Sequence, residues 1–177
     1  MTHNKEKQDF LRDDLYDALR WLFEGAVAWE AARAKPSQST RHQQAFGMYT
    51  SLVQARSLYE FFYGKKKKTD DARASDFSDK SIWTAPPSRL YARYIESDRP
   101  AQKRVFHLVF NRSGHSGGAG NELNKKVIEF ALDLRRLVED FQRNAYPEFT
   151  REIKCALARA TLEADKAAES FGIPRPV

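Results

Sequence analysis

The segment Lys103-Arg104-Val105-Phe106-His107-Leu108-Val109-Phe110-Asn111-Arg112 gathers the residue types that phosphodiester chemistry requires. On a helix, Lys103, His107 and Asn111 stand four apart and share one face, with Arg104 at its border. Val105, Leu108 and Val109 turn to another side, toward a core. A neutral imidazole can take a proton from a ribose 2′-OH while cations hold the phosphate. Neighbouring cations also favour the neutral ring. His107 is therefore the candidate catalytic residue. Lys103, Arg104, Asn111 and Arg112 are candidate contacts to phosphate or RNA. The competing reading is a half-buried histidine whose ring caps a carbonyl or packs on Phe106 or Phe110.

Arg56 joins the candidate phosphate contacts. It stands four residues before Glu60, so it either forms an ordinary intrahelical ion pair or edges a polar cleft that faces the His107 helix. His115 lies in a glycine-rich stretch, Ser113 to Gly120, that reads as a solvated loop. That stretch lacks the Lys-Ser/Thr pair and preceding strand of a phosphate-binding loop. His107, His115 and Asp98 match no zinc spacing. Asp70, Asp71, Asp76 and Asp79 lack the glycine and closing glutamate of a calcium loop, and answer the adjacent Lys65 to Lys68 block instead. No metal and no cofactor is expected. Cys155, the single cysteine, reads as inert core on an apolar helix face.

The elements that must position these residues are helices. From Lys5 to Ala34, Leu11, Leu15, Ala18, Leu19, Leu22, Ala26 and Trp29 form one stripe at helical spacing. Thr40 with Gln43 reads as a capping box that opens a second helix, ending near Tyr63 and Gly64. Its inner face is Met48, Leu52, Ala55, Tyr59 and Phe62. Residues 65 to 88 read as a long irregular connection with Trp83 pinning it to the bundle. Ser88 to Glu96 reads as a short helix. Pro100 opens another that holds Val105 to Asn111. Asn121 caps a helix striped by Leu123, Val127, Phe130, Leu134, Leu137, Val138 and Phe141. Tyr146-Pro147 breaks it, and a last helix runs from about Glu148 to Ala168. The expected fold is all-α: a single bundle over residues 1–170, with about four long helices and one or two short ones. Residues 171–177 are expected to be a loose tail.

Composition narrows the function classes. Hydrophobic residues at 41% exclude a disordered chain, and no run reaches the roughly 18 apolar residues of a membrane span. Met1 to Leu15 carries both signs of charge and no apolar centre, so no signal peptide is expected. With a single thiol, this points to a cytoplasmic protein. The net charge of +6 is clustered, which suits phosphate backbones or acidic partners.

One resemblance adds to this reading. The order Arg56-Ser57-Leu58-Tyr59-Glu60-Phe61-Phe62-Tyr63-Gly64, then Asp70-Asp71-Ala72-Arg73-Ala74-Ser75-Asp76-Phe77, then Trp83, then Lys103 to His107-Leu108 resembles small bacterial helical proteins of the HEPN-like superfamily. It covers roughly residues 45 to 140. The resemblance implies a helical bundle that often dimerises and, in many members, metal-independent RNA cleavage at a site shared by two subunits. The family motif places an arginine, then four to six residues, before the histidine. His107 would be that histidine, but Arg104 stands too near and Arg99 too far. Two functions follow as expectations. One is an HEPN-like domain that binds RNA or a nucleotide, with His107 as its candidate ribonuclease residue. The other is a non-catalytic helical module for a protein partner or homodimer.

Overall fold

A computed structural model describes residues 2–64, 72–96 and 126–175. Among these the fold is all-α, as the spacing of apolar residues predicts. The α-helices are α1 (Thr2–Arg12), α2 (Asp14–Ala34), α3 (Gln38–Tyr63), α4 (Val127–Asn144) and α5 (Pro147–Phe171). A 3-10 turn (Ala74–Asp76) and a π-turn (Tyr91–Ile95) lie between α3 and α4.

The first sequence stripe spans two helices rather than one. The chain bends at Asp13, whose carboxylate goes to Arg12 at 2.8 Å instead of capping α2. The backbone ladder still crosses the bend, from Asp13 N to Asp9 O and from Asp17 N to Asp13 O. Hence Leu11, Leu15, Leu19, Leu22 and Ala26 remain one buried seam. The capping box of α3 also sits earlier than its sequence suggests. Ser37 is the N-cap and Thr40 its reciprocal partner. Ser37 is already extended, so it serves the first free amides, and Gln43 comes too late to do so. Pro147 opens α5 as its first residue, where a missing N–H costs nothing.

Contacts fix the helix directions. Leu22 and Gly25 of α2 meet Ser51 and Gly47 of α3, so the pair is antiparallel. Going up α5, Phe149 meets Lys7, and Arg159 lies over Tyr16, so α5 runs with α1 and α2. The two-residue link Ala145-Tyr146 reverses α4 against α5. The bundle is therefore up-down-down-up, and α3 and α4 point the same way. Aromatic contacts agree: Tyr59 meets Phe130, and farther along both helices Phe62 meets Phe141.

Two parallel helices need a connection that travels back along the bundle. Residues 72–96 supply a strap that climbs α4 in reverse. Phe77 accepts from the Tyr146 amide at 2.8 Å, Trp83 meets Asp140, Ser88 meets Asp133, and Tyr94 packs on Phe130. Trp83, 9% exposed, pins the strap as its type suggests. The short helix expected at Ser88 to Glu96 is wound wider than an α-helix, because the Glu96 amide donates five residues back, to the Tyr91 carbonyl at 2.9 Å. Ser88 caps it by accepting from the Tyr91 amide, and Tyr94 and Ile95 are its buried residues.

Cys155 departs from its expected place. The buried stripe of α5 is Phe149, Ile153, Ala156, Ala160, Ala164 and Ala168, and Cys155 lies one residue off it, exposed. One residue turns a helix by roughly 100°, which is enough to carry the thiol out of the core.

Candidate functional site

The residues with catalytic promise in the sequence, His107 with Lys103, Arg104, Asn111 and Arg112, lie outside the described residues, as does His115. Arg56 is described. Its Nε donates to Glu60 Oε1 at 2.7 Å within α3, with the side chains 28% and 46% exposed. The ordinary ion pair is thus present, and such a pair contributes only a few tenths of a kcal/mol.

The structure brings together a different set of groups. A cleft of about 270 Å³ between the end of α3, the strap and α4 is lined by Tyr63, Pro86, Pro87, Ser88, Asp133, Arg136, Leu137, Asp140 and Arg143. Asp133 and Asp140 stand seven apart on α4, on one edge of its apolar stripe. Each holds the strap. Asp133 Oδ2 accepts from Tyr59 Oη at 2.5 Å and from Ser88 Oγ at 2.6 Å. Asp140 Oδ2 accepts from Trp83 Nε1 at 2.7 Å, and its Oδ1 from Arg143 at 3.0 Å. Tyr63 donates to the Pro86 carbonyl and stacks on Tyr91 with ring centroids 4.5 Å apart.

These side chains sit where the helices put them. Tyr59 is on the buried face of α3, fully covered, so its hydroxyl needs an internal acceptor. Sequence reasoning placed Tyr59 in the core and missed Asp133. The available signal was a carboxylate repeated every seven residues beside an apolar stripe, which marks the edge of a helix face and not its solvent side.

The tyrosines are shifted accordingly. Burial, then the Asp133 carboxylate, pushes the Tyr59 phenol far above its usual range. Burial also pushes Tyr63 up to about 12 and raises Tyr91, with Glu96 and Glu60 adding to the latter. In the unfolded chain these phenols ionise near pH 10. Above that pH the folded chain keeps protons that the unfolded chain has lost, so stability falls as pH rises. It is fully present below about pH 10 and declines through about 12 for Tyr63, with Tyr59 extending the loss higher. Tyr59 alone contributes a slope of about 1.4 kcal/mol per pH unit. Urea midpoints on either side of pH 10 test this. Tyr59→Phe should flatten the alkaline slope, and an unchanged slope would show that Tyr59 is not its source.

Chemically, the cleft matches two carboxylates with two guanidiniums. Among the described residues its lining contains no histidine. Among the described residues no group of three or more His, Cys, Asp and Glu side chains could hold a metal ion. No helix among them is long and apolar enough to cross a membrane. No protein-family model matches the chain, and no curated protein or solved structure matches it.

Proposed function

We propose that the chain is an HEPN-like helical domain that binds RNA or a nucleotide, with His107 as the candidate residue for metal-independent RNA cleavage. What supports this reading is the distribution of charge. In residues 65–71, Lys65 to Lys68 oppose Asp70 and Asp71. In residues 97–125, Arg99, Lys103, Arg104, Arg112 and Lys125 oppose Asp98 and Glu122. These two stretches hold five of the six excess positive charges, and the helices and strap are nearly neutral. The sequence thus places its unbalanced cations in the two stretches that flank the strap. Concentrated, unneutralised charge is the electrostatic footprint of a phosphate-backbone partner.

The reading assigns phosphate contacts to Lys103, Arg104, Arg112 and Arg56, an amide contact to Asn111, and the proton transfer from a 2′-OH to His107. It is tested by anisotropy of a labelled single-stranded RNA over a salt series, with cleavage followed in EDTA. Each phosphate contact contributes about −0.7 to the slope of log K against log salt. Lys103→Gln with Arg104→Gln should therefore reduce the slope by roughly 1.4. His107→Ala should abolish any 2′,3′-cyclic phosphate ends and leave the slope nearly unchanged. Absence of binding to RNA and mononucleotides by folded protein overturns the reading. The homodimer or protein-partner module then takes its place, with light scattering as its measurement.

A further inference from the structure

Beside the Asp13 bend, the end of α1 leaves a pocket of about 360 Å³ against α5, lined by Arg12, Arg151, Glu152, Cys155, Ala156 and Arg159. Three guanidiniums therefore border one small space. Arg12 is committed, to Asp9 at 2.9 Å and to Asp13 at 2.8 Å. The other two differ. Among the described residues, neither Arg151 nor Arg159 forms an ion pair or hydrogen bond. The Arg159 guanidinium carbon lies over the Tyr16 ring, 3.9 Å from its centroid. A cation–π contact uses none of the N–H donors of a guanidinium as an ion pair does, so they can serve an acceptor beside the ring. Among the described residues, Glu152 is the single carboxylate in the lining, and Arg159 adds to Arg12 in lowering the Asp13 carboxyl. Glu152 offsets one positive charge, and its Oε2 is buried without a hydrogen-bond partner. With Asp9 and Asp13 on Arg12, three carboxylates balance the three guanidiniums, so what the concave site offers an anion is the two forks of Arg151 and Arg159 and not an excess of charge.

We infer that this pocket is an anion site for a phosphate-bearing ligand, gripped by Arg151 and Arg159. Phosphate oxygens suit paired guanidinium forks, and Arg12, already held by two carboxylates, shapes the wall. The site is separate from the RNA reading and does not depend on it.

Cys155 provides the reporter, because it is the single cysteine of the chain and lines the pocket. Its alkylation is followed with neutral iodoacetamide and anionic iodoacetate. The arginines should favour the anionic reagent, and Arg151→Gln with Arg159→Gln should lower the iodoacetate-to-iodoacetamide rate ratio roughly tenfold, the low end of electrostatic steering. Pyrophosphate should slow iodoacetamide on the native protein and not on the double variant. Both arginines are exposed, so the variant should keep its helical circular dichroism. Lys154→Gln removes an exposed charge beside Cys155 that does not line the pocket, and should preserve protection. Adenosine monophosphate and a short RNA, used in place of pyrophosphate, distinguish a free phosphate ester from a nucleic-acid backbone. Protection by either one supports the site. Unchanged alkylation in the presence of pyrophosphate overturns it, as does a Lys154→Gln effect equal to that of the double variant. A protein that binds RNA with Cys155 unprotected loses the pocket alone. One that binds no RNA and is protected by pyrophosphate keeps the pocket alone.

Discussion

Gly47→Ala will lower the urea midpoint of unfolding, because the added methyl runs into the backbone of α2. A Cβ at position 47 would lie 2.6 Å from the Gly25 carbonyl oxygen and 2.7 Å from the Trp29 amide nitrogen. Both are backbone atoms of α2, so no rotamer change relieves the clash, and the two helices must move apart. Their seam includes the buried Ser51 hydroxyl, which donates to the Leu22 carbonyl at 3.0 Å across the same contact. Separation therefore strains a hydrogen bond as well as apolar packing. Alanine gains about 1 kcal/mol over glycine in a helix, but overpacking a close contact costs more, leaving a net loss of about 2–3 kcal/mol. Gly172 calibrates the result. It has φ +62, and a Cβ there would meet nothing within 4 Å, so alanine faces only the left-handed backbone cost of about 1 kcal/mol. Equal losses at the two positions would show that α2 and α3 do not touch backbone to backbone.

Asp133→Ala is the second large effect. It removes one acceptor oxygen shared by two hydroxyls, and Tyr59, with no exposed surface, has only Ser88 at 3.5 Å to turn to. Leaving a buried hydroxyl unsatisfied and losing charge-assisted bonds costs about 3 kcal/mol. At this chain length that lowers the melting temperature by about 6–12 °C. Asp133→Asn keeps an acceptor and should lose less. The strap should also loosen, so exchange of the Tyr91 amide, which donates to Ser88 Oγ at 3.1 Å, should accelerate. If Asp133→Ala combined with Tyr59→Phe is no less stable than Asp133→Ala alone, the stranded phenol is the cause; additive losses would place the effect elsewhere.

The fold was legible where packing repeats along a helix. The stripes of α4 and of α1 with α2 are read from spacing alone, because one face must be buried whatever the partner is. The direction of α4 relative to α3 was not, since spacing says which face is buried and not which neighbour buries it. Cys155 shows the same limit on a finer scale: α5 is rich in alanine on several faces, so its apolar content does not identify the buried one. In the cleft, Trp83 was legible because a lone tryptophan in a polar connection has few other uses. Asp133 and Asp140 were not, because their donors Tyr59, Ser88 and Trp83 come from α3 and the strap, distant in sequence. The candidate chemistry was legible in the opposite sense. Clustered cations around His107 are a local pattern, visible without any fold.

The strap has a consequence for the order in which the chain can assemble. Tyr59, Trp83 and Ser88 precede their carboxylate partners by 74, 57 and 45 residues. During synthesis α2 and α3 can form their antiparallel seam as soon as both have emerged. These donors must then stay solvated until α4 is made, because their acceptors do not yet exist. Contacts that close over such separations are slow to form and add little until the whole loop is closed. The late arrival of α4 thus closes the polar cleft in one event, and α5 then completes the core.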